Sequence, residues 1–380
     1  MKFIAKTSAG LEDILAEELL SNNYSDVKIL RRAVTFTGNL GELYRANYCL
    51  RTALRIIWPI SEFTAVNETE LYNKIYEIPW EDYFDYRKSI YIDVSAYSNN
   101  FRHTGFLAQK TKDAVVDRFR DKFTIRPSVD KIDPDIVINV HIYEDNVTIS
   151  LDSSGKTLNQ RGYRKFTGEA PLNEVLASAM ILISKWDKKS LLIDPMCGSG
   201  TIPIEAAYIA TNTPPGFNRK YYSFMSWSSY NEKELTFVKE RANADIMPSE
   251  AEIICSDLNP EMVDFAFNNA KNAGMVDYIT FKKEDFFDTK QTQNAGIIIC
   301  NPPYGERIQM DDLITFYNNI GSHLKHQYQG FKAVLLSMDN DAAKSIGLKT
   351  SKKVKLFNGP IECKYQEYNL YQGSRKHKEV

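Results

Sequence analysis

The sequence predicts an α/β protein: a mainly parallel sheet covered by helices on both faces, preceded by a smaller α+β region. Three observations lead there. From residue 171 onward, helical and strand-like segments alternate. The strand-like segments of that half are almost continuously apolar, the mark of strands buried on both faces. The first 155 residues instead mix alternating strands with amphipathic helices, without that rhythm. A length of 380 residues with 43% apolar and 12% aromatic content suffices for more than one core.

The elements follow in order. Residues 3–6 read as a strand, and Leu11, Ile14, Leu15 and Leu19 then recur at helical spacing. Segments 27–30 and 33–37 alternate as strands, and 40–54 returns to helical spacing, which gives an α+β unit over residues 1–60. A second unit, 61–155, holds a strand at 90–96, a helix at 104–119, and strands 136–142 and 146–151 joined by the hairpin-like Tyr143-Glu144-Asp145. Between Asp152 and Pro171 the composition turns to Ser, Gly, Lys, Asn, Gln and Arg, and residues 156–170 read as a linker.

The third unit, 171–380, carries the alternation: helix 171–186, strand 191–194, helix 202–210, strand 251–257, helix 260–273 and strands 279–283 and 297–300. Helix 313–326 and strand 333–337 complete it. Residues 211–250 interrupt the series with Pro214-Pro215-Gly216 and the aromatics Phe217, Tyr221, Tyr222, Phe224 and Trp227. They read either as a lid over a site or as an insertion packed against the sheet.

Net charge is 47 − 49 = −2, so any face for a polyanion is local. One candidate is 101–126, with seven Lys or Arg against three Asp. This stretch reads as a solvated amphipathic helix or as a phosphate-contacting one. Five scattered cysteines without a C-x-x-C pair argue against a disulfide framework and against a zinc site, and no metal is expected. With no clean leader and no long apolar run, a soluble cytoplasmic protein without membrane contact is expected.

The chemistry lies at the strand ends. Asp194-Pro195-Met196-Cys197-Gly198-Ser199-Gly200-Thr201 sets an acid, a glycine turn and a helix start in sequence, which suits a nucleotide-like cofactor. Pro203 stands where a third glycine would be, and no Gly-Lys-Ser/Thr follows, so neither a dinucleotide fingerprint nor a phosphate-cradling loop is complete. Once the insertion is allowed for, Asp257, followed by Leu258, falls where a carboxylate can hold a ribose diol, and Asp285 with Phe286 falls at the next strand end. Each acid alone reads as a solvated loop residue; three at successive strand ends read as a site. After strand 297–300 comes Asn301-Pro302-Pro303-Tyr304-Gly305-Glu306-Arg307. Two prolines stiffen this turn, so the Asn301 side chain and the Pro302 carbonyl form a fixed pair of acceptors for the two hydrogens of an exocyclic amine. Tyr304 offers a face on which a base can stack. Neither Cys197 nor Cys300 has a basic partner at a defined spacing, and both read as small buried residues.

These motifs resemble S-adenosylmethionine-dependent amino-methyltransferases. The chain is most similar to the bacterial 23S rRNA guanine-N2 methyltransferases that carry a THUMP domain, relatives of which are often labelled N6-adenine-specific DNA methylases. The resemblance implies a Rossmann-like methyltransferase domain preceded by ferredoxin-like and THUMP domains, with Phe101-Arg102-His103-Thr104-Gly105 in the THUMP region. It implies S-adenosyl-L-methionine held by Asp194, Cys197, Gly198, Ser199, Gly200, Asp257, Leu258, Asp285, Phe286 and Asn301. It implies amine orientation by Asn301, Pro302 and Pro303, with Tyr304 on the flipped base. Arg161-Gly162-Tyr163-Arg164 and Pro171-Leu172 match the segment that approaches the methionine end of the cofactor. Structured rRNA would be the partner, through Arg102, Lys110, Lys112 and Arg118. The longer bacterial members carry a second methyltransferase domain, which this sequence is expected to lack. Transfer RNA guanine methylation, adenine-N6 methylation of DNA or RNA, and an RNA-binding assembly factor without activity are the rival readings. The motif alone does not separate guanine N2 from adenine N6, and oligomeric state is open.

Overall fold

The computed structural model describes residues 1–168, 171–291, 293–303, 310–338 and 341–371. Contacts group the chain into two units, one of Met1–Thr7, Leu15–Leu158 and Lys220–Arg241, the other of Ser8–Ile14, Asn159–Arg219 and Ala242–Val380.

The first unit contains β1 (Lys2–Lys6), most of α1 (Glu12–Ser21), β2 (Ser25–Leu30), β3 (Ala33–Thr37), α2 (Leu40–Cys49), β4 (Arg55–Thr64) and α3 (Glu68–Glu77). It continues with α4 (Trp80–Tyr83), β5 (Ile90–Tyr97), α5 (Thr104–Phe123), β6 (Ile136–Tyr143) and β7 (Asn146–Asp152). Local chemistry sets the boundaries. Asn39 and Glu42 close a reciprocal capping box that starts α2, and the Asn67 side chain accepts the Glu70 N–H to start α3. Period-two alternation in β1 buries Phe3 and Ala5 on one face.

All seven strands form a single sheet, in the order β2-β3-β1-β4-β7-β6-β5. The ten-residue β4 makes this continuity: it pairs with β1 through Arg55, Ile56 and Ile57 and with β7 from Ile57 to Thr64. Residues 1–60 and 61–155 therefore share a sheet. The hairpin expected at residues 143–145 joins β6 and β7, with Glu144 in the left-handed region at φ 54°.

The insertion belongs here as well. Tyr222, Phe224 and Trp227 are buried; Phe224 stacks on Tyr44 at 4.4 Å between ring centroids, and Trp227 lies 5.5 Å from Trp58. The Ser228 N–H donates to the Tyr83 carbonyl at 2.8 Å. Neither reading of residues 211–250 from the sequence holds for this aromatic stretch, because its rings complete the core of the first unit.

The second unit holds α6 (Glu174–Ser184), β8 (Leu192–Asp194), α7 (Thr201–Ala210), then, beyond α8 (Glu232–Ala244), β9 (Ile253–Asp257), α9 (Pro260–Ala273) and β10 (Ile279–Lys283). β11 (Ile297–Cys300), α10 (Met310–Gln327), β12 (Lys332–Met338), α11 (Asp341–Lys344), β13 (Lys352–Asn358) and β14 (Ile361–Asn369) follow. Its sheet runs β10-β9-β8-β11-β12-β14-β13, with β8 to β12 parallel and β14 and β13 antiparallel. This is the expected mainly parallel class, extended by a C-terminal hairpin that the sequence reading left out. One face of the sheet packs Ile193, Ile298, Cys300, Ala333 and Leu335 against Tyr317, Ile320 and Leu324 of α10. Such a sheet places ligands at the carboxyl ends of its strands, where β8, β9, β10 and β11 release Asp194, Asp257, Asp285 and Asn301.

Candidate active site

A cleft of about 840 Å³ opens at those strand ends. It is lined by Asp194, Cys197, Gly198, Ser199, Asp257, Leu258, Asp285, Phe286, Asn301, Pro302 and Pro303, which the sequence reading named. Gly200 belongs to the same turn but does not line the cleft. Tyr304 lies outside the described residues.

The turn after β8 is held by backbone bonds: the Cys197 N–H donates to the Ser256 carbonyl and the Gly200 N–H to the Cys197 carbonyl, both at 2.9 Å. Its two glycines have different reasons. Gly200 sits at φ 84°, and a Cβ there would come within 2.8 Å of the Ala266 Cβ on α9, so the loop rides directly on that helix. Gly198, at φ 52°, would meet nothing within 4 Å. Its open side faces cleft space, as a backbone approached closely by a ligand requires.

The acids divide their work. Asp257 accepts the Gly198 N–H on Oδ2 at 2.9 Å and the Asn259 N–H on Oδ1 at 3.0 Å, which fixes the β8 turn to the end of β9. Asp285 accepts the Phe287 N–H at 2.9 Å and thereby shapes the turn that presents Phe286. Asp194 is 1% exposed, and burial pushes its carboxyl well above the usual carboxylate range, with the nearby Asp257 charge adding to the effect. A cationic ligand in the cleft would reverse that tendency and hold the carboxylate ionised. Cys197 and Cys300 are buried thiols held well above the usual thiol range, Cys197 by its hydrogen bond with Cys255 and by burial, Cys300 by burial. Neither is a nucleophile.

Asn301 supplies the sharpest feature. Its Oδ1 is buried and has no hydrogen-bond partner among the described residues. An unsatisfied buried acceptor costs about 1–3 kcal/mol, and here it borders the cleft beside Pro302. The arrangement suits a donor that arrives with the substrate.

The run Arg161-Gly162-Tyr163-Arg164 acts from behind the cleft. The Arg161 guanidinium and the Tyr163 hydroxyl both donate to Glu205, at 3.5 and 3.0 Å, and all three side chains are buried. Arg164 donates to Glu174 at 2.8 Å, to the Ser199 hydroxyl at 3.1 Å, to the Thr201 hydroxyl at 2.9 Å and to the Leu172 carbonyl at 3.0 Å. None of these four residues lines the cleft. Instead, Arg164 ties the cofactor turn to the start of α6, while Pro171 and Leu172 reach the cleft wall.

Several lining residues were not read from the sequence: Met262, Phe287, Phe316, Met338, Asn358 and Ile361. Asn358 and Ile361 flank Gly359-Pro360 at the tip of the β13–β14 hairpin, and that turn signal was there to be read. Phe286 and Phe287 are packed by His323, whose Nε2 lies 3.0 Å from the Thr289 hydroxyl; burial lowers the His323 pKa.

The basic residues of α5 lie in the first unit and are largely spent internally. Arg118 makes a bidentate pair with Glu81 at 2.8 and 2.6 Å and also donates to the carbonyls of Tyr76 and Glu77. Lys122 reaches the same Glu81 at 2.7 Å, Arg120 pairs with Asp117 at 2.8 Å, and Lys112 with Asp113 at 2.6 Å. Arg102 donates to the Asn99 carbonyl, and Lys110 sits 5.7 Å from the centre of the Phe106 ring. Arg118, counted from sequence among RNA-binding residues, thus fastens α5 to α3 and α4.

Comparison with known proteins adds to this geometry. Residues 161–367, more than half of the chain, match the model of the RMKL-like methyltransferase domain; residues 65–152 match the THUMP domain and 2–57 the RlmL ferredoxin-like domain. A ribosomal RNA large subunit methyltransferase K/L of Shewanella frigidimarina (strain NCIMB 400) is 37% identical over 380 residues, covering 98% of this chain and 53% of that protein. The chain spans about half the length of the curated relatives it matches. Among solved structures, SMU.472, described as a methyltransferase complexed with SAH, superposes with a TM-score of 0.88 at 29% identity, over 98% of this chain and 99% of that one. A protein of Clostridium difficile 630 described as a methylase does so with a TM-score of 0.88 at 31% identity, over 98% and 99% of the two chains. With its α/β sheet, its cleft at the strand ends and a family match over residues 161–367, the chain belongs to the RMKL-like methyltransferase family.

Proposed function

We propose that this chain is an RNA methyltransferase that transfers a methyl group from S-adenosylmethionine to the exocyclic N2 of a guanine in 23S rRNA, in the cytoplasm. The observation that carries the reading is the orphaned Asn301 Oδ1 in the wall of a cleft whose other edges are Asp194, Asp257 and Asp285. Kinship with proteins named ribosomal RNA large subunit methyltransferase K/L supports ribosomal RNA as the substrate, and the THUMP match supports RNA as the partner. The division of labour we propose is a ferredoxin-like region over 1–60, a THUMP domain over 61–155, a linker at 156–170 and a methyltransferase domain over 171–380.

The cleft suits the cofactor. The buried Asp194 carboxylate calls for a cation, and S-adenosylmethionine carries an ammonium and a sulfonium. The open side of Gly198 admits close approach, and the SAH bound in a structural relative supports the same occupancy. Asp194, Cys197, Gly198, Ser199 and Gly200 would hold the amino-acid portion, Asp257 and Leu258 the ribose, and Asp285 and Phe286 the adenine. When bound there, the cofactor supplies a methyl group on an electron-poor sulfur.

Asn301 Oδ1 accepts one hydrogen of the target amine and the Pro302 carbonyl the other. This opposes delocalisation of the nitrogen lone pair into the ring and aims it at the methyl carbon. With S-adenosylmethionine bound, the amine nitrogen held by Asn301 and Pro302 would take the methyl group as the carbon–sulfur bond breaks, leaving S-adenosylhomocysteine, and the amine proton would be released to solvent. Positioning and exclusion of water supply the acceleration, and no covalent enzyme intermediate is needed.

The test is to delete the gene and map lost methylation in total RNA with nucleoside standards. Loss of an N2-methylguanosine from 23S rRNA is expected. Loss of N6-methyladenosine instead, or a change confined to transfer RNA, would overturn the assignment.

A further inference from the structure

The methyl-transfer reading leaves one charged surface of the second unit without a task. The chain is net −2, yet residues 349–371 carry Lys349, Lys352, Lys353, Lys355 and Lys364 against Glu362 and Glu367, a local +3. Most of them lie on β13, the last strand of its sheet, and on β14 beside it. Lys349, Lys352, Lys353 and Lys355 are exposed. Register puts Lys355 opposite Lys364 and Lys353 opposite Gln366, so Lys353, Lys355 and Lys364 share one face of the hairpin. Lys355 pairs with Glu362 at 2.7 Å on the surface, and Lys352 Nζ lies 3.5 Å from the Ile183 carbonyl oxygen. Lys349 and Lys353 make no ion pair among the described residues.

Position gives this charge a meaning. The tip of the same hairpin, Asn358 and Ile361, is part of the cleft wall. The lysine row therefore starts three residues from the cleft on each strand, at Lys355 and Lys364, and runs away from it along the sheet edge. Lysines on an edge strand also serve to prevent edge-to-edge pairing. Here the edge is already covered at Lys355: Gly10 packs against it so closely that a Cβ would lie 2.2 Å from the Lys355 carbonyl oxygen. An RNA strand that delivers one base into the cleft must carry its phosphates across the rim, and α5 keeps few unpaired cations of its own to receive them.

We propose that the β13–β14 hairpin, with the segment that leads into it, is the second unit's own contact for the RNA backbone flanking the target nucleotide, with Lys349 and Lys353 as phosphate partners. The proposal rests on the RNA methyltransferase reading and adds a second binding surface to it, apart from the THUMP region.

The test is the full chain carrying Lys349→Gln and Lys353→Gln, titrated against a transcribed fragment of 23S rRNA by fluorescence anisotropy between 50 and 200 mM salt, as an order-of-magnitude window for counterion release. Loss of two phosphate contacts should flatten the slope of log K against log salt by about 1.4, from about 0.7 per contact. S-adenosylhomocysteine affinity and thermal midpoint should stay as in wild type, and kcat/KM for RNA should fall with kcat at saturating RNA retained. An unchanged slope and affinity would overturn the proposal, as would a variant that only self-associates in size-exclusion chromatography, the sign of an edge guard. Asn301→Ala run in parallel keeps the two readings apart. If it abolishes methyl transfer while the lysine variant binds RNA as wild type does, this inference fails and the reaction stands. If the lysine variant shows the flattened slope but wild type methylates no RNA, the surface stands and the reaction fails.

Discussion

Replacing Asn301 by alanine should make the protein more stable and nearly inactive. The Oδ1 atom is a buried acceptor without a partner among the described residues, so the ligand-free protein bears a desolvation cost of about 1–3 kcal/mol at this position. Alanine removes that atom, and the small void it leaves opens onto the cleft, where water or ligand can enter. A net gain of about 1 kcal/mol is expected, or roughly 2–4 °C in thermal midpoint for a domain of this size. Methyl transfer loses one of the two acceptors that fix the amine. The loss of one group preorganised for a transition state typically lowers kcat by about 10²- to 10³-fold. S-adenosylhomocysteine affinity should remain within about twofold, because the cofactor's main partners lie on the other strand ends. Differential scanning fluorimetry, calorimetric titration of S-adenosylhomocysteine and single-turnover methylation of rRNA measure the three quantities. A midpoint lowered by several degrees would show that Asn301 holds the fold together, and turnover within threefold of wild type would remove it from the reaction.

Three other outcomes follow from the same geometry. Gly200→Ala combines a left-handed φ with a Cβ 2.8 Å from Ala266, so it should cost about 2–4 kcal/mol in urea unfolding, whereas Gly198→Ala, with nothing near its Cβ, should cost about 1 kcal/mol and act chiefly on cofactor affinity; equal stability losses would contradict this division. Asp257→Ala removes the acceptor of two backbone N–H groups and the proposed ribose partner, and should weaken S-adenosylhomocysteine at least tenfold by calorimetry, with unchanged affinity the refuting result. Hydrogen bonds from Arg118 hold the Glu81 carboxyl down at about 2 against an ordinary 4.5, so the pair's contribution is complete above pH 4.5 and lost as pH falls toward 2. Arg118→Ala should therefore destabilise the first unit by about 2 kcal/mol at neutral pH, between the values for exposed and buried pairs, with the deficit shrinking on acidification and RNA affinity unmoved; a deficit independent of pH would refute the ion-pair account.

The parallel part of the second unit was legible because its strands and the helices between them carry their own signals. β9 and β11 are short apolar runs, α9 begins with Asn259-Pro260 and stops at Gly274, and the motif residues follow strand ends, so finding the strands found the site. Less legible were elements that depend on distant partners. β4 contains Pro59 and a register shift between Pro59 and Ser61, so its alternation breaks midway and conceals a strand of ten residues. β13 reads Lys-Lys-Val-Lys, four residues that suggest a solvated surface until β14 pairs with them. The aromatics of the insertion announced burial without saying against what: Phe224 finds Tyr44 some 180 residues earlier, at 4.4 Å. The charge of α5 was visible, but its neutralisation was not, since Glu81 lies outside the window in which the cations were counted.

Residues 156–170 show most directly why composition misleads about a segment's work. Gly, Lys, Asn, Gln and Arg read as solvated chain, and a polar segment ordinarily stays in water because burying a charge alone is prohibitive. Arg161 is nevertheless 2% exposed and Tyr163 1% exposed, because Glu205 on α7 meets both. The condition for burial is a single acid 44 residues away, with no periodicity to announce it. Three residues later, Arg164 spends its donors on Glu174, Leu172, Ser199 and Thr201, so the turn that presents Gly198 to the cleft is braced from outside its own strand and helix. Glycines alone would leave that turn free to move, and the backbone entropy lost on ordering it would be charged against every ligand bound. A half-buried arginine that fixes the turn in advance moves that cost from binding to folding. The polar composition that looked like slack between domains is therefore part of what preorganises the cleft.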